Sequence, residues 1–149
     1  MYFKPLLLPL LAQVTLTFIV MSSMYRTRIA EIKAKQIEPQ RISTRSKSRE
    51  LLTDSASAAD NFSNLFETPV LFYTAILTTL ILMVQDSVLV ALAWAYVASR
   101  YLHSFIHVTY NRVMHRFAVF VFSSFVLFAF WVRLGWIIIQ ARWSLSWSI

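Results

Sequence analysis

The amino-acid sequence predicts an all-α fold, a bundle of four membrane-spanning helices in one domain, from its composition and its long apolar runs. Hydrophobic residues make up 58% of the 149 and charged residues 14%, which leaves too little polar surface to cover the core of a soluble domain. Apolar runs near the roughly 20 residues that a spanning helix needs recur along the chain. The absence of cysteine excludes disulfides, thiolate metal sites and a sulfur nucleophile of the chain's own.

The first predicted helix covers residues 5–24. This apolar run is longer than the hydrophobic segment of a typical signal peptide, and no clear cleavage site follows it, so we expect it to stay in the protein as a span. Beyond it, Glu31 and Lys35 form an i,i+4 pair of opposite charge. We therefore expect the helix to continue past the membrane until Pro39 stops it.

The other three predicted helices cover residues 58–84, 88–110 and 117–140. A short turn at residues 85–87 makes the second and third helices antiparallel neighbours. The second helix carries one face with polar residues at spacings of four and three, and this face should contact another helix. Its members are Asp60, Asn64, Glu67, Leu71, Thr74 and Thr78.

The distribution of Lys and Arg predicts the orientation of the bundle. Basic residues accumulate in a linker over residues 25–57 and in the connection after the third helix, whereas Lys4 and Arg142 mark the opposite side. We expect the linker and the connection to be cytoplasmic and both termini to be on the non-cytoplasmic side. Residues 40–57 are rich in Ser, Thr, Arg and Lys and are expected to be mobile, and Arg133 should snorkel toward the outer interface. The net charge of +7 follows from this topology, so we expect no nucleic-acid partner.

Four polar residues recur on one face of the third helix. They are Arg100, His103, His107 and Tyr110, at the i, i+3, i+7 and i+10 spacing of a packed seam. A rise of about 1.5 Å per residue puts Arg100 about 15 Å from Tyr110, which marks the cytoplasmic end. Ionisable residues at membrane depth usually line a cavity or a bundle interior. With Glu67 at comparable depth, the sequence predicts a polar, cationic pocket open to the cytoplasm.

Other interpretations of these residues stay open. Asn64 and Glu67 have the spacing of a capping box, which would only start the second helix. His103 and His107 at i,i+4 could ligate a metal, but Arg100 beside them repels a cation, so we expect no metal site. Glu67 and Arg100 could form a structural ion pair. The remaining hypothesis is an anion-binding site, because guanidinium groups bind carboxylates with bidentate geometry.

Two blocks of the sequence resemble the membrane-associated proteins in eicosanoid and glutathione metabolism (MAPEG), in their bacterial branch. The blocks are DNFSNLFETPVLFY in the second helix and RYLHSFIHVTYNRVMHRF across the third helix and the connection after it. The resemblance spans most of the chain. It implies a four-helix protein of a bacterial inner membrane that assembles as a homotrimer. In the enzymes of this family, glutathione binds between subunits near the cytoplasmic face, and lipophilic substrates enter from the bilayer.

Residue by residue, the resemblance implies a glutathione site with one catalytic arginine. Asn64 and Glu67 match the helix 2 motif Arg-x-x-x-Asn-x-x-Glu, in which Asp60 stands in place of the arginine. Arg116 resembles the catalytic arginine, and Phe120, one turn later, replaces a tyrosine hydroxyl. The other expected glutathione-binding residues are Arg28, Arg100, His103, His107, Tyr110 and Arg112, of which His107 replaces a tyrosine.

Two hypotheses for the function follow. The first is a glutathione transferase or peroxidase acting on lipophilic substrates, which the matches at Arg116, Asn64 and Glu67 favour. Since the chain has no cysteine, glutathione would supply the sulfur, and Arg116, as a permanent cation, would stabilise its thiolate. The second is a non-catalytic membrane protein that keeps the fold as a binding or structural module, which Asp60 and Phe120 favour.

Overall fold

The computed structural model describes residues 5–146, with side chains described over residues 5–141. Lys4 therefore lies outside the described residues, as does the side chain of Arg142. The described chain is helical, which confirms the predicted all-α class. Its helices are α1 (Leu7–Ala34), α2 (Arg45–Leu51), α3 (Ala56–Asn64), α4 (Thr68–Ile81), α5 (Ser87–Val108) and α6 (Val113–Ser146), with a 3₁₀ turn at Pro39–Ile42.

Three segments of the described chain are long and apolar enough to cross a membrane: Leu7–Ala34, Ala56–Ile81 and Val113–Ala141. They correspond to the first, second and fourth predicted spans. The third predicted span is α5, which has 22 residues but carries polar side chains in its second half that lower its mean hydropathy. α5 packs against α1, α3 and, most extensively, α6, so it lies inside the bundle that the apolar segments form. The orientation of this bundle in the membrane stays a prediction.

The predicted second helix, residues 58–84, is divided in the structure into α3 and α4. The break follows from Pro69, which has no amide hydrogen and whose ring would clash in a continuous helix with the carbonyl of Leu65, four residues earlier. Glu67 leaves the helical conformation, with φ −94° and ψ −97°. α3 therefore ends at Asn64, and the carbonyl of this residue can accept a hydrogen bond from a neighbouring helix.

The linker that the sequence predicts to be mobile forms the 3₁₀ turn and α2, and its end is docked on α1. Glu31 is only 5% exposed, and its carboxylate accepts from the backbone N of Asp54 at 2.9 Å and of Ser55 at 2.8 Å. The hydroxyl of Ser55 donates to the same carboxylate at 2.6 Å. Lys35 completes the group as the predicted i,i+4 ion pair, and its hydrogen bond to Glu31 raises the pKa of the Lys35 ammonium. Since α3 begins directly after Ser55, these contacts fix the start of α3.

The hydrophobic core lies in the half of the bundle that carries the α4–α5 turn, which we call the turn end. Here the rings of Phe72 and Tyr96 stack with their centroids 4.6 Å apart. Other fully buried members of this core are Ala75, Ile76, Leu89, Ala93 and Leu134. The opposite half, which carries the linker and the α5–α6 connection, is the linker end, and its buried side chains are mostly polar. The buried polar residues that the sequence predicts for the site therefore lie at the linker end.

Asp86 joins α5 to α6 at the turn end. Its Oδ1 accepts from Leu89 N at 2.9 Å and so caps α5, while its Oδ2 accepts from Arg133 Nη2 at 2.7 Å. Arg133, expected from the sequence to snorkel, thus uses its guanidinium to bind this carboxylate. The hydrogen bond from Arg133 is the main reason why the pKa of Asp86 lies below its usual value.

Replacing Asp86 with Ala should lower the free energy of unfolding by about 1 to 2 kcal/mol, because the variant loses the helix cap and leaves Arg133 without its carboxylate. A carboxylate whose pKa is depressed in the folded protein stabilises it above the unfolded pKa, and this contribution is lost as the pH falls through the folded pKa. Thermal unfolding in detergent should therefore separate wild type from Asp86→Ala at pH 7, and the difference should begin to shrink at about pH 4 and disappear only as the pH falls through the lower, folded pKa of Asp86. Glu50→Ala, at an exposed position, is the control. An equal difference at every pH would contradict the assigned ion pair.

Candidate functional site

A row of side-chain contacts, here called the polar ladder, joins α3 and the first residue of α4 to α5. On the α3 side, its residues recur at spacings of four, three and four, and each meets a residue of the antiparallel α5. The contacts pair Ser57 with His107, Asn61 with Ser104, Asn64 with Arg100, and Thr68 with Tyr96. The polar ladder runs from the linker end toward the core, so it lines the interior with polar groups at membrane depth.

Arg100 is fully buried where α3, α5 and α6 meet, with 0% of its surface exposed. Its Nη2 donates to the carbonyl of Asn64 at 3.2 Å, and its Cζ lies 5.8 Å from the centre of the Phe120 ring. Its Nε and Nη1 have no hydrogen-bond partner among the described residues. A buried donor left without a partner costs about 1 to 3 kcal/mol, and more when it is charged. The arrangement therefore favours an anionic group from outside the single chain as the missing partner.

Asn61 and His103 add two further buried polar atoms to this place. The Oδ1 of Asn61 accepts from the Ser104 hydroxyl at 3.1 Å, which leaves its Nδ2 without a partner in the described structure. His103 Nδ1 also lacks one, and the His103 ring centre lies 6.3 Å from that of Phe120. With Arg100, these residues form a cluster that offers hydrogen-bond donors and holds no carboxylate of its own, which suits it to bind a carboxylate.

His107 connects this cluster to Arg116 on α6. Arg116 Nη1 lies 2.6 Å from His107 Nε2, and because a guanidinium only donates, Nε2 is the acceptor and the imidazole is neutral. On the other side of the ring, Ser57 Oγ lies 3.0 Å from Nδ1. Arg116 itself is half-buried at the linker end. It is therefore the one cation of this cluster that a molecule arriving at the linker end can reach directly.

The structure brings together five of the residues that the sequence predicts for the site, namely Asn64, Arg100, His103, His107 and Arg116. Asn64 takes part through its backbone carbonyl. Asn61, Ser57 and Ser104 join the cluster although the sequence analysis did not select them. For Ser57 and Asn61, the signal in the sequence was a second polar stripe on the predicted second helix, one residue along the chain from the predicted face.

Four predicted residues form no hydrogen bond or ion pair with the cluster in the single chain, although Glu67 is close enough to Arg100 to interact with it electrostatically. The side chain of Glu67 is exposed, and no ion pair joins it to Arg100. Arg28 donates to the Ser48 hydroxyl of α2. Beyond the end of α5, Tyr110 bonds to His115 and Arg112 is exposed.

The alternatives that the sequence left open have different outcomes. The capping box at Asn64 and Glu67 is wrong, because Asn64 is the last residue of α3 and not the start of a helix. The ion pair between Glu67 and Arg100 does not form in the single chain. His103 and His107 lie side by side, with ring centres 5.9 Å apart, but no group of three or more His, Cys, Asp or Glu residues that could hold a metal occurs among the described residues.

The departures from the family pattern also have structural positions. Asp60 is exposed and lies 3.6 Å from Arg49 of the linker helix α2, and its carboxylate is also close enough to interact electrostatically with His107. Phe120 is half-buried and packs against Arg100 and His103, where it provides an apolar wall instead of a hydroxyl. Neither substitution places a carboxylate against the buried donors.

An apolar groove of 510 Å³ lies elsewhere, on the face of α6 at the turn end. Arg133, Gly135 and Trp136 line it together with Ala129, Val132 and Ile139. A helical rise of about 1.5 Å per residue places Arg133 about 25 Å from Arg116 along α6, so this groove does not belong to the cluster.

Comparison with known proteins gives one finding. The model of the MAPEG family matches residues 6–136, which is nearly the whole chain. No curated protein and no solved structure matches the chain.

Proposed function

The chain belongs to the MAPEG family, and from this membership and its buried cationic cluster we propose that it binds glutathione and acts as a glutathione transferase or peroxidase on lipophilic substrates. The chain is an integral membrane protein, and the cluster lies inside its membrane bundle. The observation that carries the proposal is the set of buried donors without partners, Arg100 Nε and Nη1 with Asn61 Nδ2. Among the described residues no carboxylate forms a hydrogen bond with these donors, which favours an anionic partner from outside the chain.

The residues of the cluster fit the chemistry of glutathione, a tripeptide with two carboxylates and a thiol. Arg100 has two donors without a partner, Nε and Nη1, either of which can bind a carboxylate oxygen, and Asn61 is fixed by Ser104 with its amide nitrogen available. Arg116 is the accessible cation at the linker end. Glutathione would thus supply the sulfur nucleophile that the cysteine-free chain lacks, with Arg100 and Asn61 holding a carboxylate and Arg116 lying near the thiol.

Arg116 is suited to favour the reactive form of that thiol. A free thiol has a pKa of about 8.5, so only a few per cent is ionised at neutral pH, and a nearby cation lowers that pKa. About 1.4 kcal/mol of added stabilisation of the thiolate lowers its pKa by about one unit. Arginine stays charged at every relevant pH. His107 is neutral in the structure and accepts from Arg116, so it orients the cation and leaves the positive charge to it.

The exposed apolar surface of α6 supports a lipophilic second substrate. Phe122, Phe125 and Phe128 of α6 are exposed, as expected of a surface in contact with lipid. A hydrophobic electrophile dissolved in the bilayer would therefore approach along α6, and Phe120 on the same helix gives it an apolar surface beside the cluster.

The activity is tested with the purified protein, glutathione and two lipophilic probes, an aryl halide for conjugation and an organic hydroperoxide for reduction. The proposal predicts glutathione-dependent turnover of at least one probe, and the active probe decides between transferase and peroxidase. Turnover of neither probe, combined with absent glutathione binding, would leave the non-catalytic membrane module as the function.

We further propose that the chain assembles as a homotrimer through the exposed face of α3 and α4. This face combines the carboxylate of Glu67 with large apolar side chains such as Phe66 and Leu71, which are 57% and 54% exposed. A charged residue facing lipid costs about 2.5 to 3.5 kcal/mol on insertion scales, so a mixed face of this kind is better covered by protein. The purely apolar face of α6 is the one left to lipid.

In mild detergent, the wild-type protein should have the mass of three chains. Leu71→Trp places a bulky ring in the proposed interface and should shift the mass toward single chains, because overpacking an interface costs about 1 to 3 kcal/mol. Val132→Trp, which adds the same ring to the exposed face of α6, should leave the trimer intact. A monodisperse wild-type monomer, or dissociation by Val132→Trp alone, would show that the interface is placed wrongly.

A further inference from the structure

We infer that Ser57 is a positioning residue, which holds His107 in the one tautomer that can accept a hydrogen bond from Arg116. The effect of Ser57 on turnover rests on the proposed function, in which Arg116 stabilises the thiolate. Ser57 lies in the first turn of α3, His107 in the last turn of α5 and Arg116 in the first turn of α6. Three separate helices thus meet in one line of hydrogen bonds, Ser57 to His107 to Arg116.

The hydrogens along this line can be assigned by counting donors. Ser57 Oγ lies 3.1 Å from the carbonyl oxygen of His107 and 3.0 Å from its Nδ1. A hydroxyl has one hydrogen, and a carbonyl can only accept, so Ser57 donates to the carbonyl and accepts from Nδ1. His107 therefore carries its hydrogen on Nδ1. Its Nε2 keeps a lone pair, which receives the hydrogen bond from Arg116 Nη1 at 2.6 Å.

The other neutral tautomer would not hold Arg116. With the hydrogen on Nε2, an N–H would point at the guanidinium of Arg116, which also has only N–H groups, and two donors would face each other. The guanidinium would then turn away from His107. The position of the cation therefore depends on the acceptor that Ser57 offers to Nδ1, although Ser57 does not touch Arg116.

The linker fixes Ser57 in its place. Glu31 of α1 is buried and binds the backbone N of Asp54 and of Ser55, directly before α3 begins. Ser57 is two residues further along, in the turn whose position these bonds set. The cytoplasmic segment predicted from its basic composition thus contributes a group to the site, through the docking of its last residues on α1.

The tautomer is read directly by NMR of the protein labelled with ¹⁵N at histidine, because protonated and unprotonated ring nitrogens have well-separated shifts. The signals of His107 are assigned by their loss in His107→Gln, which separates them from His103 and His115. We expect the Nδ1–H form in the wild type and a larger share of the Nε2–H form in Ser57→Ala. Ser57→Thr keeps the hydroxyl and should restore the wild-type form.

A second measurement follows Arg116. In Ser57→Ala the apparent pKa of the bound glutathione thiol, from the pH dependence of thiolate absorbance, should rise, and the turnover rate should fall about three- to tenfold, the weight of one hydrogen bond. Ser57→Thr should recover both. Ser63→Ala, on the same helix with its hydroxyl bound to Arg45 at 3.3 Å, is the matched control and should change neither.

Each outcome separates this assignment from the proposed function. If His107 of the wild type carries its hydrogen on Nε2, the assignment is overturned, and this test needs only the wild-type protein, so it holds even if Ser57→Ala does not fold. The assignment is also overturned if His107 has the same tautomer in Ser57→Ala as in Ser63→Ala. If His107 carries its hydrogen on Nδ1 in the wild type and this form is lost in Ser57→Ala, the result supports the placement of His107 by Ser57. If, in addition, neither protein binds glutathione, only the proposed ligand is wrong.

Discussion

Replacing Arg116 with Ala is expected to lower the rate of glutathione turnover at least tenfold at neutral pH and to remove most of the ultraviolet absorbance of bound thiolate. Arg116 is half-buried at the linker end, and it is the cation of the cluster that an incoming molecule can reach. Loss of about 1.4 kcal/mol of thiolate stabilisation raises the thiol pKa by about one unit, which accounts for a tenfold loss of the reactive form. Phe120, one turn later on α6, has no polar atom that could replace the guanidinium.

The pH dependence identifies the cause of this loss. If the cation acts by stabilising the thiolate, the activity of Arg116→Ala should recover as the pH is raised toward the pKa of about 8.5 of a free thiol. Arg41→Ala, which removes an exposed arginine of the linker, controls for the change in net charge. The assignment is wrong if Arg116→Ala keeps full activity and full thiolate signal while His107→Ala loses both.

Replacing Arg100 with Leu is expected to weaken glutathione binding by about ten- to a hundredfold without destabilising the protein. A hydrogen bond to a charged group contributes about 1.5 to 3 kcal/mol, which corresponds to this range of affinity. Arg100 is fully buried and only its Nη2 has a partner in the described structure, so its folded state carries an unsatisfied charge. Exchanging buried ionic groups for apolar ones of similar size is often neutral or stabilising. In Arg100→Leu, the affinity for glutathione should therefore fall while the free energy of unfolding rises or stays the same.

This opposition distinguishes a ligand-binding arginine from a structural one. Arg100→Lys keeps the charge but loses the planar fork, and we expect it to bind glutathione with intermediate affinity. Thermal unfolding without ligand and binding measurements on the same samples provide both quantities. Unchanged affinity in Arg100→Leu together with a lower unfolding temperature would mean that Arg100 only holds the helices together.

Three of the four predicted spans correspond to apolar segments of the described structure, because apolar runs of bilayer length are a property of the sequence alone. The break in the second helix was also within reach, since Pro69 lies inside the predicted segment and proline interrupts a helix interior. Its consequence was not visible, because only the packed structure shows that the carbonyl of Asn64, left at the end of α3, meets Arg100.

The predicted polar face of the second helix accounts for only part of the polar contacts of that helix. Two stripes have the spacing of a buried face, one through Asp60 and Glu67 and one through Ser57 and Asn61. The sequence prediction used the charged stripe, whereas the contacts inside the single chain come from the uncharged one, in which Asn61 is fully buried and Ser57 half-buried. The matching stripe on α5, with Ser104 between the histidines, was a signal for the second choice, since uncharged hydroxyls and amides can satisfy each other inside a bundle.

The contact between His107 and Arg116 was beyond sequence reasoning for a geometric reason. The two residues are nine positions apart and belong to different helices. They meet because the chain reverses at the end of α5, where Asn111 adopts a positive φ of 49°. Asparagine tolerates this conformation better than most residues, but its presence does not reveal which side chains the reversal brings together.

Equilibrium binding of glutathione to the purified wild-type protein in mild detergent, followed by ultraviolet absorbance of the thiolate, tests the central claim most directly. The buried donors of Arg100 and Asn61 and the cation of Arg116 predict saturable binding with a thiolate signal at neutral pH. Arg100→Leu should bind glutathione about ten- to a hundredfold more weakly, and Arg116→Ala should keep most of the binding but lose most of the thiolate signal. Absence of saturable binding to the wild type, or equal binding and equal thiolate signal in all three proteins, would contradict a glutathione site at this cluster.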